Sequence, residues 1–137
     1  MRAFPLVVAL LAAPAGAAAP IAGRWTTAEA DSVVTIAPCA GGGAKLCGRI
    51  TTFLRKPDRP NPTDRNNPDP ALRGRPVLGM AVLYGFADAG RDWRGRIYDP
   101  RSGKNYKSIL TREADGTLKV QGCIAFFCRT QVWRQAR

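Results

Sequence analysis

The sequence runs Trp93-Arg-Gly-Arg-Ile-Tyr-Asp99-Pro-Arg-Ser-Gly103-Lys-Asn-Tyr106 in its second half, with apolar or small residues alternating with polar ones. Because successive side chains of a strand point to opposite faces, Trp93, Gly95 and Ile97 share one face and the other face is basic. The proline presets the first dihedral angle of the following turn, and Gly103 supplies a positive φ at its end. The stretch therefore predicts two antiparallel strands joined by a short turn.

The same alternation continues on both sides of this hairpin, and no segment shows a sustained helical period. Turns rich in Gly, Asp and Pro separate the apolar runs, and Asp115-Gly116 is a strong local hairpin signal. Eight candidate strands result: 23–27, 32–37, 45–54, 78–86, 93–98, 105–112, 117–123 and 128–134. Strands joined by hairpins in one small domain predict an all-β fold, an eight-stranded antiparallel up-and-down barrel whose closure removes exposed edges.

One segment interrupts the strand pattern. Residues 55–76 hold six of the eleven prolines, with Asn and Asp between them. A linker between two domains is a poor explanation, because neither flank is long enough to build its own core easily. We expect one long ordered loop over an end of the barrel, structured by Asp64, Asn67 and Asp69 through their capacity to accept backbone hydrogen bonds.

The first nineteen residues have the features of a secretory signal peptide. Arg2 gives a positive start, an apolar run follows, and small residues lead to an Ala-x-Ala site. The run is too short for a membrane span of about 20 residues, so we expect no spanning segment. Cleavage after Ala17 is favoured over cleavage after Ala19, because Pro20 would follow the second cut. We therefore expect a signal peptide in residues 1–19, a single barrel domain in 20–137, and export to the periplasm or the medium.

The four cysteines survive this cleavage and would meet an oxidising compartment, where disulfides persist. Four cysteines allow three pairings. We prefer Cys39–Cys47, which flanks a Gly-rich turn, and Cys123–Cys128, which encloses a short hairpin. Zinc binding and redox activity are the alternatives, but both commonly use C-x-x-C spacing, which is missing.

Charge and composition exclude several classes of protein. The chain has no histidine, so Ser-His-Asp and Cys-His catalytic units and imidazole zinc sites are excluded. The net charge is +11, but its arginines and lysines are scattered and accompany no nucleic-acid-binding motif, so we expect no nucleic-acid partner. Without a nucleophile elbow, a phosphate loop or calcium-ligand spacing, the sequence indicates neither an enzyme nor a metal or cofactor site.

The sequence resembles a family of exported bacterial proteins known as domain of unknown function 2147. The resemblance is carried by Gly23-Arg-Trp25, Asn67-Pro-Asp-Pro-x-Leu-Arg-x-Arg-Pro-x-Leu-Gly79, Trp93-x-Gly-x-Ile-Tyr-Asp-Pro-x-x-Gly-Lys-x-Tyr106 and Arg129-Thr-Gln-x-Trp133. It implies a lipocalin-like eight-stranded barrel and no established biochemical function. The four cysteines depart from the family pattern, which supports a purely structural role for them.

The opening Gly-x-Trp motif also resembles the first strand of lipocalins. That resemblance implies that Trp25 closes the bottom of the barrel and meets an arginine from the last strand. Arg134 is the residue that we expect in this position, through a cation–π contact.

Basic and aromatic residues supply the candidates for ligand contact. Arg73 and Arg75 together are suited to clamp a carboxylate or phosphate through bidentate hydrogen bonds. The alternative, which we favour, is that they pair with Asp64 and Asp69 and brace the loop. Further candidate contacts come from residues of the central hairpin: Arg96, Tyr98, Lys104 and Tyr106.

Two functions fit these observations. The first is a barrel that binds one small anionic or amphiphilic molecule, as eight-stranded barrels are able to do. The second is a basic envelope protein with a filled interior, whose outer surface binds acidic lipid, polysaccharide or a protein partner. A ligand retained through purification would favour the first function.

Overall fold

The computed structural model describes residues 3–5, 7–9 and 16–137. Much of the predicted signal peptide, including Ala15 of the Ala-x-Ala site, lies outside the described residues. Among the described residues, no helix is long and apolar enough to cross a membrane.

Eight antiparallel strands form a closed barrel in which each strand pairs with its neighbours in the sequence and the last strand pairs with the first. Their bounds are β1 Gly23–Thr26, β2 Ser32–Pro38, β3 Leu46–Phe53, β4 Ala81–Asp88, β5 Trp93–Asp99, β6 Lys104–Arg112, β7 Leu118–Ile124 and β8 Phe127–Gln135. A short 3-10 helix, Pro70–Leu72, lies in the β3–β4 loop. The predicted up-and-down barrel and its eight strands are confirmed.

The central hairpin shows why alternation sets the faces. In the β5–β6 register Gly95 lies opposite Ser108 and Ile97 lies opposite Tyr106, so these four residues share one face. Ser108 is buried and Ile97 packs against the core, so this face is the interior one. The turn ends at Gly103, whose φ is +71°, as predicted. Strand β4 begins three residues later than predicted, at Ala81, because the chain first turns at Gly79, whose φ is +87°.

Large side chains fill much of the interior, and glycines give them room. Trp25, Leu83 and Phe86 are almost fully buried. A Cβ atom at Gly95 would lie 2.8 Å from Phe86 Cγ, and one at Gly48 would lie 2.7 Å from Leu83 Cδ1. The two glycines are therefore positions where a neighbouring ring or leucine occupies the space of a side chain.

The segment before β1 closes one end of the barrel. Residues 18–22 lie across this end, and Ile21 is fully buried. The side chains of Trp25, Trp93 and Arg112 each donate a hydrogen bond to a carbonyl of the segment, at 2.9, 3.0 and 3.2 Å. Because the strands alternate in direction, the β2–β3, β4–β5 and β6–β7 turns share this closed end, and the other loops share the opposite end.

The arginine over Trp25 differs from the expected one. The guanidinium carbon of Arg112, on β6, lies 5.0 Å from the centroid of the Trp25 ring. Arg134 pairs with Thr26 in the β1–β8 register and therefore lies on the opposite face of the sheet from Trp25. The prediction of a contact between Trp25 and Arg134 is wrong. It considered only that Arg134 belongs to the last strand, and not which face of that strand its side chain occupies.

Both predicted disulfides are present. Cys39 and Cys47 join the ends of the β2–β3 turn, with Cα atoms 4.9 Å apart. Cys123 and Cys128 face each other across β7 and β8, with Cα atoms 4.0 Å apart. Each pair joins the two strands of a hairpin next to its turn.

Candidate functional site

The Pro-rich β3–β4 loop is fixed to the open end of the barrel through one buried carboxylate. The side chain of Asp64 is fully buried. Its Oδ1 accepts a 2.5 Å hydrogen bond from the Tyr98 hydroxyl, and its Oδ2 accepts from Asn67 Nδ2 at 2.9 Å and Arg75 Nη2 at 2.8 Å. Since Tyr98 belongs to β5, this carboxylate connects the loop to the barrel wall.

The surroundings of Asp64 shift two pKa values. Burial alone would raise the pKa of Asp64, but the hydrogen bonds from Tyr98, Asn67 and Arg75 outweigh it, so the pKa lies below its ordinary value. Burial and the hydrogen bond to the Asp64 carboxylate raise the pKa of Tyr98 to about 12. The carboxylate is therefore charged and the phenol neutral at physiological pH.

Two neighbouring turns complete the attachment of the loop. Asn66 Nδ2 donates to the carbonyls of Pro100 and Arg101, at 3.2 and 3.0 Å, in the β5–β6 turn. Arg101 in turn forms salt bridges with Glu29 and Asp31 of the β1–β2 turn, at 2.6 and 2.7 Å. The hydrogen bond and charge of Arg101 lower the pKa of Glu29. Three loops that are distant in sequence are thus held as one collar.

A cavity of about 690 Å³ lies between this collar and the barrel interior. Its floor is apolar and consists of side chains from the strands and the end of the loop: Val34, Ile50, Phe53, Val77, Val82, Ile97 and Trp133. Gln131 adds one polar side chain to the floor, and its Oε1 accepts a 3.1 Å hydrogen bond from Trp133 Nε1. The open end of the barrel therefore offers a pocket with a largely apolar base.

The rim of this cavity carries more unpaired positive than negative charge. Arg55, Lys56, Arg59 and Arg65 line it from the loop. None of these four forms a salt bridge with a carboxylate of the described residues. Four carboxylates also line the cavity: Glu29, Asp31, Asp58 and Asp99. Arg101 forms salt bridges with the first two. The lining therefore has five cations and four carboxylates, and an anionic group at the mouth would meet four cations that form no salt bridge.

The predicted loop residues lie where a brace requires them. Arg75 pairs with Asp64 and its guanidinium carbon lies 5.9 Å from the Tyr98 ring centroid. Arg73 Nε donates to the Asn67 carbonyl at 2.8 Å. Asp69 caps the 3-10 helix, with its Oδ1 accepting from Ala71 N at 3.0 Å. Arg75 and Arg73 are each bound within the loop, so they do not converge as a pair on the cavity.

The other predicted ligand residues are dispersed. Tyr98 lines the mouth cavity. Arg96 lies on the outer face of β5, opposite Lys107, and lines a second cleft. Lys104 is exposed at the start of β6, and Tyr106 is half-buried opposite Ile97. The structure thus brings one of the four hairpin candidates to the mouth.

The rim cations were not among the predicted site residues. Arg55, Lys56 and Arg59 form a basic cluster directly after β3, and this local concentration of charge is the signal in the sequence that could have identified them.

Within the described part of the chain, no group of three or more His, Cys, Asp or Glu side chains is arranged to hold a metal ion.

Comparison with known proteins identifies the family. The sequence profile of a family described as "Uncharacterized protein conserved in bacteria (DUF2147)" matches residues 23–135. The chain belongs to this family. The match runs from the first strand to the last, so the family corresponds to the whole barrel, including the collar loops.

A solved structure shares the fold. It is described as "Protein HP1028 from the human pathogen Helicobacter pylori belongs to the lipocalin family". The two chains superpose with a TM-score of 0.73 at 21% sequence identity, over 86% of this chain and 84% of the other. No curated protein sequence matches the chain. The DUF2147 barrel described here is therefore lipocalin-like in fold.

Proposed function

We propose that this protein binds one small amphiphilic anion at the open end of its barrel, without catalysing a reaction on it. The observation that carries the proposal is the combination of an apolar floor and a rim with four cations that form no salt bridge, in a single cavity of about 690 Å³. A cavity of this size lies within the range of sites for small molecules.

The division of the site into two parts indicates the chemical class of ligand. An alkyl or aromatic group on the floor would be removed from water beside Phe53, Val82 and Trp133. A carboxylate, sulfate or phosphate at its other end would lie among Arg55, Lys56, Arg59 and Arg65, where guanidinium groups offer paired donors. The competing hypothesis, a barrel with a filled interior, is less favoured because the cavity reaches the interior side chains of β2, β3, β5 and β8.

A charge-specific binding measurement tests the proposal. We expect dodecanoate and dodecyl sulfate to bind more tightly than the uncharged alcohol of equal chain length, as measured by isothermal titration calorimetry or by the change in tryptophan fluorescence, to which Trp133 on the cavity floor contributes. The triple substitution Lys56→Gln, Arg59→Gln and Arg65→Gln should weaken binding of the anions by about tenfold or more, because each exposed ion pair contributes up to about 1 kcal/mol. Binding of the alcohol should change little.

A matched control places the same charge change at the closed end of the barrel. Arg24, Arg91 and Lys45 are exposed and lie outside the mouth cavity, so their triple Gln variant should bind dodecanoate like the wild type. Equal affinity for the alcohol and the anions, or equal loss in both triple variants, would contradict the proposed anion site. Mass spectrometry of the native protein, followed by extraction, would identify a retained ligand.

We also propose that the chain is exported and cleaved after Ala17. The two disulfides fit a periplasmic or extracellular protein. The backbone nitrogen of Ala18 lies 3.1 and 3.2 Å from the two carboxylate oxygens of Asp88, and Ala18 is only 7% exposed. Cleavage after Ala17 would turn this nitrogen into an ammonium group beside Asp88, which supports the predicted cleavage position.

We expect the intact mass of the exported protein to correspond to a chain beginning at Ala18. The Asp88→Asn substitution should then lower Tm by about 2–5 °C, because it removes one partly buried ion pair. The control is a version that retains Gly16 and Ala17, in which the amide of Ala18 is uncharged. In that background Asp88→Asn should have a clearly smaller effect, and an equal effect in both backgrounds would argue against the ion pair.

A further inference from the structure

The β7–β8 turn presents a cluster of exposed apolar side chains at the open end of the barrel. Ile124, Phe126 and Phe127 are 65%, 100% and 71% exposed. Among residues 16–137, no other large hydrophobic side chain is as exposed as Phe126. We call Ile124, Phe126 and Phe127 the apolar tip. An exposed apolar cluster of this kind marks an interaction site, because its exposure to water is unfavourable and its side chains contribute nothing to packing of the core.

The backbone of the tip is built against its local preference. Ala125 adopts a φ of +52°, a conformation in which Gly, Asn or Asp is usual. The Cys123–Cys128 disulfide lies directly behind the turn and joins the residues that flank it. The apolar tip is therefore held in a fixed conformation by a covalent bond, although a Gly-rich polar turn would serve the hairpin better.

A basic cleft lies next to the tip on the outer face of the barrel. It has a volume of about 670 Å³ and is lined by Ala125 and the disulfide on one side and by Arg94, Arg96 and Lys107 on the other. No Asp or Glu of the described residues lines it. Arg94 pairs with Asp92, whereas Arg96 and Lys107, which are neighbours across β5 and β6, form no salt bridge with the described carboxylates.

We propose that this face docks on a lipid bilayer that contains anionic lipids. The apolar tip enters the boundary between the headgroups and the acyl chains, where Phe side chains of membrane-bound proteins are buried, and lipid phosphates lie in the cleft beside Arg96 and Lys107. A bilayer with anionic lipids fits this face. Its apolar interior would receive the apolar tip, and the adjacent layer of negatively charged headgroups would lie against the basic cleft. The net charge of +11 favours the same surface at longer range.

The proposal goes beyond ligand binding and does not depend on it. The tip and the mouth cavity lie at the same end of the barrel. Strands β3 and β7 run in the same direction, so the β3–β4 loop and the β7–β8 turn that follow them lie at the same end. Docking through the tip would therefore bring the mouth towards the membrane surface.

The test is co-sedimentation of the purified protein with vesicles. One set contains equal parts of phosphatidylcholine and phosphatidylglycerol, and the other contains phosphatidylcholine alone. We expect binding to the first set, decreasing with salt. The double substitution Phe126→Ser and Phe127→Ser should weaken it by about tenfold or more, because two large apolar groups are no longer buried. The double substitution Arg96→Gln and Lys107→Gln should weaken binding to the anionic vesicles several-fold.

A matched control removes apolar side chains elsewhere. Leu78 and Val132 are about half exposed and lie outside the tip, so Leu78→Ser with Val132→Ser should leave vesicle binding unchanged. The mouth variant with Gln at positions 56, 59 and 65 should retain tip-dependent binding, which separates this proposal from the ligand proposal. Wild-type protein that does not sediment with the anionic vesicles overturns the proposal, as does a tip variant that sediments as well as wild type. A dimer that disappears in the tip variant, without vesicle binding, would overturn it and assign the tip to a second copy of the chain.

Discussion

Substituting Asp64 with asparagine is expected to lower the free energy of unfolding by about 2–4 kcal/mol, since a buried charge pair is broken. The carboxylate is fully buried and receives hydrogen bonds from Tyr98, Asn67 and Arg75. An asparagine of the same shape can still accept from Tyr98. Its amide group would then take the place of Oδ2 and oppose both Asn67 Nδ2 and Arg75 Nη2, so two donors lose their partner.

The loss should depend on pH in a direction set by the pKa of Asp64. Burial would raise this pKa, but the three hydrogen bonds lower it below its ordinary value. A lowered pKa in the folded state means that the carboxylate stabilises the fold above the unfolded pKa of about 4. This contribution disappears as the pH falls through the lower pKa of the folded state. The difference between wild type and variant should therefore be constant near neutrality and shrink in acid below about pH 4.

Thermal or urea unfolding of both proteins across this pH range measures the effect. Asp69→Asn is the matched control, because Asp69 lies in the same loop, is exposed and accepts from the backbone amide of Ala71. Asp69→Asn should lower the free energy of unfolding by about 1 kcal/mol or less, because asparagine is also a good cap residue and keeps an oxygen that accepts the hydrogen bond. A difference between wild type and Asp64→Asn that stays the same down to strongly acidic pH would show that the charge of Asp64 is not what stabilises the loop.

The barrel could be predicted from the sequence because inward-facing and outward-facing residues alternate along each strand. Trp93, Gly95 and Ile97 alternate with polar residues, and the register places the first set inside, opposite Leu110, Ser108 and Tyr106. Alternation is a local property, and a one-residue slip would expose an entire strand, so the pattern fixes both strand and face. The disulfides were predictable for a similar reason, since each closes a short hairpin.

The mouth could not be predicted in the same way. Its rim comes from a loop without periodicity, and its shape depends on contacts between residues far apart in sequence, such as Asn66 with the carbonyls of Pro100 and Arg101. The error at Trp25 has a related cause. Several arginines lie on neighbouring strands, and the register, not the sequence motif, determines that Arg112 faces the ring.

The contact between the loop and the β5–β6 turn leads to a second large effect. Gly103→Ala should lower the free energy of unfolding by about 2–4 kcal/mol and open the collar. A Cβ atom at this position would lie 1.9 Å from the carbonyl oxygen of Asn66, which is far inside van der Waals contact. The turn and the loop would have to separate, and the hydrogen bonds from the Asn66 side chain to the turn would be lost.

Gly116→Ala separates steric overlap from backbone strain. Gly116 has a φ of +87°, similar to the +71° of Gly103, but a Cβ atom there meets nothing within 4 Å. It should therefore cost only about 1 kcal/mol, the strain of alanine at positive φ. The comparison requires unfolding measurements together with titration of dodecanoate. We expect Gly103→Ala to lose both stability and affinity, whereas Gly116→Ala loses a little stability and keeps its affinity. Equal stability losses in the two variants would mean that the loop yields to the new methyl group at no cost. Unchanged affinity in Gly103→Ala would mean that the collar is not needed to form the binding site.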